Sequence, residues 1–380
     1  MMSLEIIYFY LKSSEIKMII WPTKKLGEIA QLRMGETLIK KDLTGDGVPV
    51  YSADSLDNPW GYTSKNKLKF HRGAIVIGAR GTIGSLKLPE DGYFTSTQTT
   101  ILVEPNKKEI LPRFLFYFLN TLDFKKFTVG TGIPMITVGY LNTIKIPLPP
   151  LPVQKAIVER LDAIKKAQEL NDRQIALADE LFQSLLYREL DPKKKNWKSK
   201  RLRDVAEITM GQSPPSTTYN MEGNGLPFFQ GKFEFKEIYP IPIKFCSQPI
   251  RIAKKNDVLL SVRAPVGPVN LAPSECCIGR GLSAIRANVE KLDQFFLFYF
   301  MKLNENKTSF LGSGSTFTAI GRNRIEDIKI PLPPLSTQHQ IVQKLQAVQE
   351  YKKKLIEQKQ KLKELFESCL NKAMKGELVT

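Results

Sequence analysis

Ile144-Lys-Ile-Pro-Leu-Pro-Pro-Leu151 returns unchanged 184 positions later as Ile328-Lys-Ile-Pro-Leu-Pro-Pro-Leu335, and this duplicated run decides how the chain is divided. The correspondence continues without a gap, pairing Gln154 with Gln338, Ile157 with Ile341, Val158 with Val342, Leu161 with Leu345 and Leu181-Phe182 with Leu365-Phe366. Proline fixes φ and pushes the residue before it towards extended geometry, so each copy is expected to be a short rigid arm. A helix should start near Pro152 in the first copy and near Ser336 in the second, since proline suits a first helical position and serine a cap.

Beyond each arm the apolar residues keep a 4-3 spacing. They are Ile157, Leu161, Ile164, Ile175, Ala178, Phe182 and Leu185 in the first run, and Ile341, Leu345, Val348, Leu355, Leu362, Phe366 and Cys369 in the second. That is a heptad seam, interrupted by Gln168 and Asn171 and by Lys352 and Lys359, polar residues that specify register at some cost in stability. The expected partner of each helix is the other, in an antiparallel coiled coil.

Upstream of each arm the two halves keep one skeleton. Trp21-Pro-Thr-Lys-Lys-Leu-Gly-Glu-Ile-Ala-Gln-Leu-Arg-Met-Gly35 matches Trp197-Lys-Ser-Lys-Arg-Leu-Arg-Asp-Val-Ala-Glu-Ile-Thr-Met-Gly211 in its apolar positions and its glycine. Strands are expected over 74–79 and 257–262, then over 99–103 and 283–287, from their β-branched content. Aromatic helices follow at 114–119 and 296–301, and then the loops Gly130-Thr-Gly132 and Gly312-Ser-Gly-Ser-Thr316. The fold class is therefore α+β: two similar globular units, each of a twisted sheet with short helices followed by a long helix. The expected division is an extension 1–20, a first unit 21–145, arm and helix 146–190, linker 191–196, a second unit 197–327, and arm and helix 328–380. Residues 1–20 have neither a basic n-region nor a small-residue cleavage site, and Met18 lies just ahead of the repeat; they read as an over-called start or a poorly packed tail.

A net charge of +18 with 56 Lys and Arg against 38 Asp and Glu points to a polyanion, with nucleic acid first because neutralised phosphates supply most non-specific affinity. A membrane surface is the weaker reading, since no segment is long and apolar enough to span a bilayer. Cys246, Cys276, Cys277 and Cys369 fit neither a disulfide framework nor a zinc site, which suits a reducing cytoplasm. With two histidines, His71 and His339, a histidine-rich metal site is excluded. No phosphate loop, dinucleotide fingerprint or HExxH motif is present, and no catalytic constellation stands out.

The candidate DNA contacts are Arg80, Thr82, Thr131, Arg263, Arg280, Ser313, Ser315 and Thr316. Arg80 and Arg263 each follow a buried-type strand and precede a glycine; such an arginine either reaches guanine or phosphate, or pairs a carboxylate within the fold. Thr131, Ser313, Ser315 and Thr316 lie in loops that either offer hydroxyls to phosphate or simply turn. The Phe and Tyr of the aromatic helices read as core rather than base-stacking platforms. Lys193, Lys194, Lys195, Lys198, Lys200, Arg201 and Arg203 form a basic run that is either a solvated linker or a backbone contact.

This order of variable unit, proline arm and coiled-coil helix, repeated once over residues 21–380, resembles the specificity subunit of type I restriction-modification systems. The two IKIPLPPL arms with Gln154 and Gln338, and Gly312-Ser-Gly-Ser-Thr-Phe-Thr318, carry the resemblance. It implies two target recognition domains that read the halves of a bipartite site in double-stranded DNA, helices that space them, and no catalytic activity. It also implies two methyltransferase subunits using S-adenosylmethionine, with restriction and translocase subunits using ATP and Mg, and no cofactor on this chain. The first loop carries Gly132-Ile-Pro134 where the second has Thr316-Phe-Thr318, a departure that puts a phosphate role there in question. From Gln154 to Leu190, 37 residues of helix span about 55 Å, roughly 16 base pairs. The alternative function is a single-chain DNA-modifying or DNA-cleaving enzyme with an unrecognised site.

Overall fold

The computed structural model describes residues 21–56, 58–90, 92–128, 134–190, 195, 197–305 and 319–377. The extension 1–20, most of the linker, and the loops holding Thr131, Ser313, Ser315 and Thr316 lie outside the described residues. Four helices organise the chain: α1 (Pro112–Leu119), α2 (Leu151–Leu190), α3 (Gln294–Asn304) and α4 (Leu335–Lys375). The chain forms two compact units, one from the residues up to 172 together with those from 358 onward, the other from 173–357. The architecture is α+β in both.

In the first unit an antiparallel sheet runs in the order Ala30–Met34, Thr100–Pro105, Ile75–Gly78, Leu86–Lys87. A second sheet, Gly61–Thr63, Val48–Tyr51, Tyr93–Ser96, Phe70–His71, contains one parallel pair between its two central strands. Strand Ile75–Gly78 is buried on both faces, which is why it reads as an unbroken apolar run. Ile75 and Ile77 pack with Phe114, Leu115 and Tyr117 of α1, while Val76 packs with Phe70, Phe94 and Leu102. The aromatic helix is thus core, as its pattern predicts.

The second unit repeats this plan, with Ala206–Met210, Leu282–Ala287, Val258–Ser261, Val269–Leu271 in one sheet. Its other sheet adds a fifth strand, in the order Tyr219–Asn220, Lys244–Cys246, Leu226–Phe229, Cys276–Ile278, Ile252–Ala253. Val258 and Leu260 face Phe296 and Tyr299 of α3, whereas Leu259 faces Phe229 and Ile278. Truncating Leu259 to alanine would cost about 2–5 kcal/mol, the range for a core leucine. Cys246, Cys276 and Cys277 are buried free thiols in this sheet, and burial pushes Cys276 up to about 12.

The proline arms do more than extend. Lys145–Pro147 pairs antiparallel with Thr23–Lys25, and Lys329–Pro331 with Ser199–Arg201, so each arm closes onto the opening of its own repeat as an edge strand that tolerates proline. The glutamine after each arm is fully buried. Gln154 Nε2 donates to the carbonyls of Glu109 (3.0 Å) and Pro149 (2.8 Å), and its Oε1 accepts from Leu111 N–H at 2.8 Å. Gln338 makes the same three bonds, to Lys291 O (3.1 Å), Pro333 O (2.8 Å) and Asp293 N–H (2.8 Å). A buried amide has little freedom once both its ends are satisfied, so these latches fix the helix start against the segment entering α1 or α3.

Within each unit the two long-helix segments run antiparallel. In the first, Gln168 Nε2 donates to Leu362 O at 3.1 Å and Asp172 pairs with Lys359 at 2.8 Å. In the second, Asp179 pairs with Lys352 at 2.6 Å and Glu189 with Lys344 at 3.5 Å. The seam residues Ile157, Leu161, Leu185, Ile341, Leu345 and Leu355 are buried, and Ile164, Ile175, Phe182, Val348, Leu362 and Phe366 are half-buried. Of the four interruptions, Asn171 is buried and Gln168 and Lys352 are half-buried, but Lys359 is exposed, its long stem carrying the ammonium out to Asp172.

This pairing changes the organisation expected from the repeat. Each unit is not one repeat with its own helix; it takes the first part of one long helix and the last part of the other, because antiparallel packing lays one helix end on the other's beginning. Phe366, at the end of the second repeat, meets the Tyr117 ring at 5.9 Å in the first unit, and its repeat partner Phe182 meets Tyr299 at 6.0 Å in the second. Tyr117 O–H donates to Asp162 of α2, and Tyr299 O–H donates to Gln349 of α4 at 2.6 Å; burial raises both phenols above the usual tyrosine range.

Candidate nucleic-acid interface

In both units the loops that leave the sheet strands come together, and the two repeated arginines sit among them. Arg80 leaves strand Ile75–Gly78 with its N–H on Thr99 O at 3.0 Å; its guanidinium is exposed and touches Met135 Sδ at 3.5 Å. The turn behind it needs glycine: Gly81 and Gly84 have φ of 81° and 76°, and a Cβ at Gly84 would lie 2.6 Å from Phe124. Thr82 is exposed, and its N–H donates to Ala53 O at 3.3 Å, which ties this loop to residues 52–56. Beneath lies a chain of hydroxyls, Ser52 to Thr97 at 3.0 Å and Thr97 to Thr99 at 2.7 Å.

The second unit places Arg263 and Arg280 at one concavity, shared with Ser213, Gln230, Lys232 and Ser261. Ser261 Oγ lies within hydrogen-bond distance of the carbonyls of Arg263 (3.2 Å) and Pro265 (3.0 Å), and Arg280 N–H donates to Ser213 Oγ at 3.2 Å. A Cβ on Gly281 would lie 2.1 Å from Gln230 O, so glycine is what lets the Arg280 loop close on the neighbouring strand end.

Among the described residues none of the ion pairs uses Arg80, Arg263 or Arg280. The carboxylate-paired arginines are others. Arg286 holds the buried Asp257 with two bonds of 2.9 and 2.7 Å, and that hydrogen bonding raises its pKa. Arg201 and Arg203 of the basic run both reach Asp327, at 3.0 and 3.1 Å, so this part of the run braces the fold. Three guanidiniums left in solvent, above strands that are otherwise closed, leave donors suited to phosphate or base edges. Gln230, Lys232, Ser52, Thr97 and Thr99 join them in space but escaped the sequence reading, because their positions differ between the repeats; aligning the strand ends Tyr51 and Phe229 would have exposed them. No group of three or more His, Cys, Asp or Glu able to hold a metal occurs among the described residues. No helix among them is long and apolar enough to cross a membrane.

The family model for the type I restriction modification DNA specificity domain matches twice, over residues 18–178 and 194–365, and the chain belongs to that family. It is 39% identical over 296 residues to the MjaX type I restriction enzyme specificity subunit of Methanocaldococcus jannaschii, covering 72% of this chain and 69% of that one. The HsdS subunit of Thermoanaerobacter tengcongensis is 30% identical with a TM-score of 0.57, over 94% of this chain and 97% of that one. A chain from a structure on complex assembly and conformational transition of the type I R-M system is also 30% identical, with a TM-score of 0.66 over 96% and 100% of the two chains.

Proposed function

We propose that the chain is the DNA-specificity subunit of a cytoplasmic type I restriction-modification complex, a non-catalytic reader of a bipartite site in double-stranded DNA. What carries this reading is the duplication of the arginine-bearing loops: Arg80 and Arg263 occupy the same strand exit in two units of one plan, both without a carboxylate partner among the described residues. Two readers fit two half-sites, with Arg80, Thr82, Arg263 and Arg280 as contacts; Thr131, Ser313, Ser315 and Thr316 remain candidates from the sequence. The long helices keep the readers apart and dock two methyltransferase subunits. S-adenosylmethionine belongs to those partners, and ATP and Mg to the restriction and translocase subunits.

The test is to map methylated bases in the host genome, with and without this chain. A bipartite motif that vanishes on deletion supports the reading. Methylation or cleavage of DNA by the isolated chain with metal, ATP and S-adenosylmethionine would replace it with an enzyme.

A further inference from the structure

Near the arginine loops each unit holds out a large, strongly exposed apolar side chain. Leu56 is 66% exposed and Phe233 is 83% exposed, and their neighbours in sequence are polar or charged. Both lie in the segment that follows the parallel-paired strand of the second sheet, Val48–Tyr51 in one unit and Leu226–Phe229 in the other. An exposed phenylalanine on a loose loop would signify little, but these loops are held. Asp54 accepts Leu56 N–H at 2.9 Å and pairs with Lys87 at 2.7 Å, a lysine only 5% exposed. In the second unit Lys232 O accepts from Phe235 N–H at 3.0 Å. Asn270, 1% exposed, clamps both backbone groups of Lys236 at 3.1 and 2.8 Å. The backbone next to each tip is thereby held, at a standing cost in exposed apolar surface.

Cations outnumber the one carboxylate, Glu234, around the Phe233 tip. Phe233 lines one hollow with Lys232 and Lys244, and Lys232 also lines the adjoining hollow with Arg263 and Arg280. In the first unit, the bond from Thr82 N–H to Ala53 O joins the Arg80 loop to the loop of Leu56. An exposed apolar tip with donors for phosphate on the neighbouring loops is the chemistry of a side chain that enters between base pairs while those donors neutralise the flanking backbone.

We infer that Phe233 and Leu56 are wedges, each inserting into the base stack of the half-site its unit reads and opening one base step; this rests on the DNA-reading function proposed above. Opening a step lowers the cost of swinging a base out of the duplex, which a methyltransferase must do to reach it. A protein-docking role for the tips is the competing use of the same surface.

The test uses the chain complexed with its methyltransferase subunits, on duplexes carrying the mapped target with 2-aminopurine moved stepwise through each half. The wild type should give a fluorescence rise at one step per half. Phe233→Ala should lose the rise in one half only and bind about tenfold more weakly, equivalent to ~1.4 kcal/mol. Leu56→Ala should lose it in the other half, and Phe233→Trp should keep it. Because both side chains are largely exposed, neither truncation should alter folding. A rise retained by Phe233→Ala overturns the inference, as does loss of the methyltransferase from that variant with the rise intact. A wild-type complex that binds its target without any rise overturns the wedge alone; one that binds no target overturns the DNA reading itself.

Discussion

The two units share a framework and differ where they face solvent. The buried latch is the same to within a few tenths of an ångström in its hydrogen bonds, Gln154 in one and Gln338 in the other. The strand-end loops are not: the first unit sets Ser52, Thr97 and Thr99 where the second has Gln230, Gly279 and Gly281. Gln98 of the first accepts Leu38 N–H at 3.1 Å, while at its counterpart Arg280 the side chain is exposed and, among the described residues, the hydrogen bond made is from the backbone N–H, at 3.2 Å to Ser213. Framework contacts are repeated, and the side chains proposed to read DNA are free to diverge. A hydroxyl donates or accepts to many partners, whereas arginine favours guanine and glutamine favours adenine, so the halves of the target should differ in composition.

The strongest test of this separation breaks the helices. A two-residue insertion after Ala167 rotates the seam by about 200° and should abolish assembly with the methyltransferase, read by co-purification. A seven-residue insertion keeps the seam in phase, adds roughly 10 Å and should widen the methylated gap by about three base pairs with both halves unchanged. An unchanged gap would mean that the helices do not set the spacing.

Next come the latches. Gln154→Leu and Gln338→Leu each strand buried partners that share the lost amide, and each should destabilise by about 3 kcal/mol in chemical denaturation. Equal losses mark the framework as truly repeated; a large inequality would show that one unit depends on it more.

The arginines should have smaller and unequal effects. Alanine at Arg280 should relax sequence preference at one position at a cost of about 1–3 kcal/mol, measured by binding to base-substituted targets. If Arg80 contacts phosphate instead, its alanine variant should weaken all sequences alike and reduce the salt slope by about 1.

The smallest effect belongs to Lys352. Burial alone would lower its pKa, but Asp179 at 2.6 Å and Glu237 at 2.9 Å outweigh that and leave it raised. A raised lysine stabilises the fold while protonated, so its contribution is whole at neutral pH and disappears only as pH climbs past the ordinary lysine range. Being partly solvated, the pair should lose no more than ~1 kcal/mol on Lys352→Met, seen as a shift in Tm.

Much of the framework was legible because it obeys periodicities: the identical arms, the 4-3 seam, the apolar runs at Ile75–Gly78 and Val258–Ser261, and the aromatic α1 and α3. The second sheet was not, since strands of two to four residues such as Phe70–His71 or Ile252–Ala253 are too short to show alternation. The pairing of Phe366 with Tyr117 was equally hidden, because it joins residues that no local pattern relates. Of the site, only the repeated arginines and a few hydroxyls could be named. Gln230, Lys232 and Phe233 are assembled by loop closure over Gly281, where the two repeats no longer resemble one another.

The exchange of helix ends gives the covalent link between the repeats an unexpected unimportance. A protease that cuts within 191–196 leaves a first fragment whose unit still needs Phe366, Leu370 and Ala373 from the second, and a second fragment whose unit still needs Phe182, Leu185 and Leu186 from the first. Each piece carries a segment belonging to the other's core, so the nicked protein should stay together as two interlocked chains. Proteolysis at that bond should change its mass on a denaturing gel and leave its size in solution as it was.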